Sequence, residues 1–361
     1  MYSIKDYLNR GIKFANNIVF SRHKKLSTLM IYSTSLCDSR CKHCYVWAQR
    51  PVRHISKEKI IEIMQSRCVS KKTSIGLEGG EFLLHPEAQE ILKWFLENHH
   101  NFDLLSNCLK PEKVIESVKK YPPNRLYLSL DGGEETYKSM RGVDGYSKVI
   151  KVIEECRELV PVSLMFTLSP FNSFADLEFV VDVAKKYNID IRIGIYNNID
   201  FFDTQTVAHE QKRNEEEDRA FSKNIPPNVK GTSENYDFLC LYEEWKNGNL
   251  KMNCYSILDS LVIHPDGNVP ICQNLDKSLG NIYENSLDEI FNSKKNVKIQ
   301  KEYAKNCNQC WINFHRKYDI VLLRNLESFL PKRLIELFYG KYCWTCDKKL
   351  KYKKFMKMMD L

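Results

Sequence analysis

Residues 28–44 read Thr-Leu-Met-Ile-Tyr-Ser-Thr-Ser-Leu-Cys-Asp-Ser-Arg-Cys-Lys-His-Cys. The largely apolar run 28–34 has the character of a strand, and two residues after it Cys37, Cys41 and Cys44 follow in a Cys-x3-Cys-x2-Cys spacing. Three thiols are one short of the four ligands of a closed zinc site. Three thiolates on one loop suit a [4Fe-4S] cluster that leaves one iron open to an exogenous ligand.

Working outward, strand-like segments recur at 73–78, 102–106, 125–130, 161–168 and 189–196. Each of the first five strands is followed by a helical pattern: 56–68, 86–99, 111–121, 146–159 and 173–187 space their apolar residues three to four apart behind Ser, Pro or polar starts. Six strands alternating with helices predict an α/β fold, a parallel sheet of right-handed βαβ units closing into a partial (β/α)6 TIM-like barrel. In such a barrel chemistry belongs at the C-terminal strand ends, where the cysteine triad lies.

The expected organisation is a helical lead-in over 1–27, a core barrel over 28–200 and a polar connecting segment over 201–237. A small Cys-rich domain over 238–315 and a helical, Lys-rich tail over 316–361 complete it. A chain of 361 residues with 43% hydrophobic residues has the length for one large and one small domain. Thirteen cysteines is an odd count, and the opening "MYSIKDYLNRGIKF" has no uninterrupted apolar stretch of signal-peptide type. The expected location is therefore the cytoplasm, with thiols acting as ligands or free side chains. No apolar run approaches the roughly 18 residues of a membrane span. The net charge is +8, but residues 341–361 hold seven Lys against two Asp, so five of those charges sit in the tail. The balanced remainder lacks the basic footprint of a nucleic-acid binder.

The triad behind a first strand resembles the signature of the radical S-adenosylmethionine (SAM) superfamily. The resemblance implies a [4Fe-4S] cluster on Cys37, Cys41 and Cys44, whose free iron binds the amino and carboxylate groups of SAM. An electron from the cluster then cleaves SAM to a 5′-deoxyadenosyl radical. "LEGGEFLLHP" at 77–86 is similar to the family's Gly-Gly-Glu-Pro motif, which assigns Gly79, Gly80 and Glu81 to the SAM amino group, with Phe82 in place of Pro. Ser129 at the fourth strand end and Arg141 twelve residues on match the family's contacts to the SAM ribose and carboxylate. Asn107 stands in the strand-three Thr-Asn-Gly element, with Cys108 where Gly is usual; a plain turn residue is the alternative reading. His43 replaces a common aromatic residue, its ring either stacking on adenine or solvated.

Downstream, "Pro-Asp-Gly-Asn" at 265–268 lies between two short apolar segments and predicts a hairpin that brings Cys254 and Cys272 to one site. Cys307-x2-Cys310 completes four thiols. This Cys-x12-Gly-x4-Cys, gap, Cys-x2-Cys array resembles the SPASM/twitch extension of radical SAM enzymes. The resemblance implies one auxiliary [4Fe-4S] cluster on Cys254, Cys272, Cys307 and Cys310. The full seven-Cys form continues Cys-x5-Cys-x3-Cys, and "CNQCWINFHRKY" lacks those two. Cys240, Cys343 and Cys346 would be ligands of a second auxiliary cluster, with a free thiol favoured for Cys240 and the 343/346 pair undecided. Zinc competes for the second set taken alone. Cys68, Cys108 and Cys156 read as packing thiols.

The resemblance implies a radical-based modifying enzyme, an oxidoreductase served by a low-potential electron donor such as flavodoxin or ferredoxin. Gln273 stands where sulfatase-maturing relatives have an acidic residue, so no catalytic base is assigned. Two substrate classes stay open. The one-cluster count, with only 36 residues before Cys37, favours a carbohydrate-like small molecule, and a peptide or protein is the alternative. A zinc-stabilised barrel used for binding is the non-enzymatic reading. In the tail, Ile320, Leu323, Leu326, Leu330, Leu334 and Leu337 fall at helical spacing, interrupted at Pro331. The expectation is helices packed on the barrel, with peripheral contact to an anionic membrane as the sharper alternative.

Overall fold

The computed structural model describes residues 12, 15–20, 23–197, 221–232 and 234–344. Most of the expected connecting segment, Cys346 and the Lys-rich end lie outside the described residues. Six strands run in chain order, β1 Thr28–Thr34, β2 Ser74–Gly79, β3 Phe102–Ser106, β4 Arg125–Ser129, β5 Val162–Leu168 and β6 Asp190–Ile195. Neighbours pair in parallel in the order β6-β5-β4-β3-β2-β1, each strand within a residue of its expected bounds.

The helices between them are α1 Lys57–Met64, α2 Ala88–Asn98, α3 Pro111–Lys120, α4 Glu134–Arg141, α5 Tyr146–Cys156 and α6 Phe174–Tyr187. Their starts follow local chemistry. Ser56 accepts from the Lys59 amide ahead of α1, Pro111 opens α3, and Ser173 with Asp176 forms a capping box on α6. Helix α4 is absent from the expected elements because its eight residues are mostly polar, with Tyr137, Met140 and Arg141 its buried members. It ends at Gly142, whose φ of 65° is the left-handed stop that favours glycine.

The expected hairpin around 265–268 is corrected. The turn exists, with the His264 amide donating to the Asn268 carbonyl at 2.9 Å. The first strand, β7 Ser260–Ile263, however, joins the barrel sheet parallel to β1. The second, β8 Asn268–Cys272, pairs instead with β9 Leu275–Asn281 as an antiparallel ribbon. β7 is buried along its whole length, as a strand covered on both faces must be, and that burial outweighs the local turn signal. The sheet thus has seven parallel strands, the seventh supplied by the Cys-rich segment.

Further on come α7 Glu234–Cys240, α8 Leu287–Asn292, α9 Lys294–Asn306, α10 Asn313–Phe329 and α11 Lys332–Tyr339. Helix α10 runs across the boundary at 315/316 expected from the sequence. Ile320 and Leu323 are fully buried, whereas Phe329 is 82% exposed, Leu337 77% and Phe338 80%. The stripe therefore does not pack throughout. α11 turns Ile335 inward and leaves Leu334, Leu337 and Phe338 outward. No helix among the described residues is long and apolar enough to cross a membrane.

Candidate active site

The cysteine loop is gripped from two sides. From α4, the Arg141 carbonyl accepts from the Arg40 amide and the Met140 carbonyl from the Lys42 amide, both at 2.8 Å. From β2, the Gly80 amide donates to the Thr34 carbonyl at 2.7 Å and the Glu81 amide to the Leu36 carbonyl at 2.8 Å. A Cβ on Gly80 would lie 2.3 Å from the Leu36 oxygen and 3.1 Å from the Cys37 Cβ. Gly79, at φ 143°, would meet the Thr34 oxygen at 2.4 Å. The glycine pair thus permits close approach of one strand end to the cysteine loop.

Glu81 is buried. Its carboxylate accepts from the Asn107 amide at 2.7 Å, Ser106 Oγ at 3.1 Å and the Leu83 amide at 3.4 Å. Burial pushes it up to about 7, against the lowering effect of these donors. The Asn107 side chain reaches the triad, with Nδ2 at 2.9 Å from Asp38 Oδ1 and 3.8 Å from Cys37 Sγ. Cys108 holds φ at 63°, the left-handed region, which explains why glycine would be at home there. Ser129 ends β4, half-buried and paired with Met165.

Arg141 lies at the far side of the loop, buried, with Nη1 4.0 Å from Cys41 Sγ. Burial would lower its pKa, but the ion pair with Asp131 keeps it firmly protonated. Asp131 went unrecognised in the sequence, although "LSLDG" displays it at a strand end. It also accepts from the Thr167 amide at 3.1 Å.

The triad residues fit an iron-sulfur cluster with SAM. Burial is the main cause that raises Cys37, Cys41 and Cys44, and beside it Cys41 raises Cys37 while Cys41 and Cys37 both raise Cys44. Burial takes Cys37 to about 12, a cost that the cationic iron-sulfide core of a bound cluster would reverse. Beside them, His43 Nδ1 and Arg141 Nε are buried without a hydrogen-bond partner among the described residues. Burial lowers His43 to about 4, so its ring is neutral, and the residue is half-buried.

Cys254, at the end of the segment before β7, Cys272, at the end of β8, and Cys307 and Cys310, between α9 and α10, bear on one another electrostatically. Burial raises Cys254, Cys272 and Cys310, taking Cys272 to about 12. Among the described residues no three His, Cys, Asp or Glu side chains are gathered to hold a single ion. Gln273 donates to Tyr32 Oη at 2.7 Å, linking this segment to β1. Cys68, Cys108 and Cys156 are buried. Cys240 is buried and disulfide-bonded, which corrects the free-thiol reading, and Cys343 is exposed.

Residues 31–184 match the family described as the radical SAM superfamily, and residues 254–311 match SPASM, described as an iron-sulfur cluster-binding domain. Two curated relatives come from Bacillus subtilis (strain 168). The antilisterial bacteriocin subtilosin biosynthesis protein AlbA is 27% identical over 272 residues, 72% of this chain and 58% of that protein. The sporulation killing factor maturation protein SkfB is 23% identical over 281 residues, 76% of this chain and 66% of that protein. The chain therefore spans 58% and 66% of the length of these two relatives. Among solved structures, Streptococcus suis SuiB bound to precursor peptide SuiA has a TM-score of 0.58 at 14% identity, covering 96% of this chain and 82% of that one, a likeness of fold.

Proposed function

We propose, on the premise that this chain belongs to the radical SAM superfamily and carries a SPASM iron-sulfur domain, that it is a maturase acting on a peptide. The observation that carries the reading is that relatives named for bacteriocin biosynthesis and killing-factor maturation align over 72% and 76% of the chain. When bound, the cluster and SAM supply a deoxyadenosyl radical that takes a hydrogen atom from an unactivated carbon.

The chain's own residues bind and orient. Cys37, Cys41 and Cys44 hold the cluster, and Glu81 offers its carboxylate to the SAM ammonium. Arg141 meets the SAM carboxylate and Ser129 the ribose, while Gly79 and Gly80 keep β2 tight against the loop. Cys254, Cys272, Cys307 and Cys310 hold the auxiliary cluster. A cavity of about 380 Å³ opens beside it, lined by Ser35, Arg50, Arg53, Asp266, Cys272 and Gln273. Two arginines beside an auxiliary ligand suit an extended peptide carrying carboxylates.

The test is anaerobic reconstitution with dithionite and SAM, offering short peptides encoded beside the gene and, separately, aminoglycoside-type sugars. Loss of hydrogen from a peptide by mass spectrometry is the expected result. Conversion of a sugar with no peptide modified overturns the reading.

A second reading concerns location. Phe329, Leu330, Leu334, Leu337 and Phe338 form an exposed apolar patch on α10 and α11, immediately ahead of the Lys-rich end. Apolar anchors beside concentrated positive charge suit an anionic membrane surface.

A further inference from the structure

Arg316, which the function above leaves unused, is 1% exposed and lies on α10, six residues past Cys310. All three guanidinium nitrogens are engaged with the segments that bear the auxiliary cysteines. Nε donates to the Cys310 carbonyl at 3.1 Å, Nη2 to Asn308 Oδ1 at 3.1 Å, and Nη1 to the Met252 carbonyl at 3.2 Å. Asn308 lies between Cys307 and Cys310, and Met252 precedes Cys254 by two residues. The partner of Arg316 is Asp319, also buried, at 3.6 Å. His315 beside it is held neutral by burial and bonds Ser256 Oγ at 2.6 Å. Continuing the Cys-x5-Cys-x3-Cys spacing from Cys310 lands on Arg316 and Ile320, so a fixed cation occupies a position where the longer array has a thiolate.

We propose that Arg316 is the built-in counter-charge of the auxiliary cluster, lacing its two ligand segments together and raising its reduction potential. Reduction adds an electron to an already anionic cluster with four thiolate ligands. A buried cation stabilises the reduced form more than the oxidised one, and strongly so where water is excluded. Arg316 is a positioning residue, acting on substrate only through the cluster. The inference rests on the assignment of Cys254, Cys272, Cys307 and Cys310 as ligands.

The experiment uses the full chain carrying Cys37→Ala, Cys41→Ala and Cys44→Ala, so that one cluster remains, reconstituted anaerobically and titrated by EPR. Arg316→Met is expected to lower the reduced-to-oxidised ratio at fixed poise at least tenfold, 59 mV for one electron. Arg316→Lys, which keeps the charge, is expected to stay near the parent, and Asp319→Asn, which removes the opposing charge, to move the potential upward. Equal shifts in the Met and Lys variants, or none at full iron content, overturn the proposal. If Arg316→Met fails to load iron, an unmoved potential in Asp319→Asn overturns it. Absence of iron in the background variant overturns the ligand assignment with it. A potential that responds as expected in a protein that modifies no peptide sinks only the substrate reading.

Discussion

The backbone amide of Asn107 donates to the Glu81 carboxylate at 2.7 Å, tying the segment after β3 to the segment after β2 beside the cysteine loop. Without SAM this carboxyl is raised by burial to about 7 from an ordinary 4.5. The folded state then holds the proton more tightly than the unfolded one. Stability is expected to fall as pH rises from about 4.5 through about 7, and to level off above it. Glu78, raised by burial to about 8, extends the decline. In thermal melts across this range Glu81→Gln should remove the lower part of the slope and Glu78→Gln the upper. The SAM ammonium reverses the sign, so SAM should bind more tightly as pH rises through 7. Glu81→Gln should weaken binding about tenfold or more, the loss of a charge-assisted pair. A slope unchanged in both variants refutes the assignment.

Cys41 is the buried centre of the triad, beside Arg141 and 3.1 Å from Ser39 Oγ. Cys41→Ala should abolish reductive cleavage of SAM to 5′-deoxyadenosine while leaving the circular dichroism of the barrel unchanged, because two thiolates do not hold a cluster with one open iron. Cleavage at the parent rate would remove the triad from the chemistry.

Gly80→Ala tests the grip on the loop. Its new Cβ would fall on the Leu36 backbone at 2.3 Å and 2.7 Å, atoms that yield only if the cysteine loop moves. A destabilisation of about 1–3 kcal/mol is expected, together with loss of iron from the triad, read by iron assay and denaturant melts. A variant of normal stability and iron content would show that the loop has slack.

The barrel was legible from the sequence because its strands and helices obey local rules: 2-fold and 3.6-fold apolar periods, Ser caps and Pro starts. The cysteine sets were marked in the sequence by their spacing together with the family resemblance, and their roles as ligands stand as proposals. What escaped was non-local. The fate of β7 depends on β1, far away in sequence, and the Asp266-Gly267 turn carries no record of that pairing. Asp131 and Arg316 look like ordinary surface charges in the sequence, and their roles come from burial against partners on other elements. The outward face of α11 has the same apolar spacing as a packed helix, and the sequence does not say which stripe finds a neighbour.

Cys307→Ala should lower iron by about one cluster, roughly four irons, while SAM cleavage without substrate persists. Cys307 is remote in sequence from the triad, and its neighbours are Cys272 and Cys310. Unchanged iron, or stoichiometric zinc in the parent at this site, would overturn the auxiliary-cluster ligand set.

The last prediction concerns α11. The helix is anchored on one side, with Ile335 buried and the Lys251 amide donating to the Tyr339 carbonyl at 2.8 Å, so its apolar outer face is fixed in place. Leu334, Leu337 and Phe338 sit three and four residues apart, one side of a helix, with Phe329 and Leu330 extending the patch. Seven Lys follow within residues 341–361, and each lysine near an anionic surface contributes about 1 kcal/mol. The full chain should co-sediment with vesicles containing phosphatidylglycerol at low salt, bind them less at high salt, and ignore purely zwitterionic vesicles. Leu337→Ser with Phe338→Ser should abolish binding, as should truncation after Phe338, with SAM cleavage untouched by the serine pair. A dimer in solution that the serine pair dissolves, without vesicle binding by the parent, would assign the patch to a second copy of the chain and overturn the membrane reading.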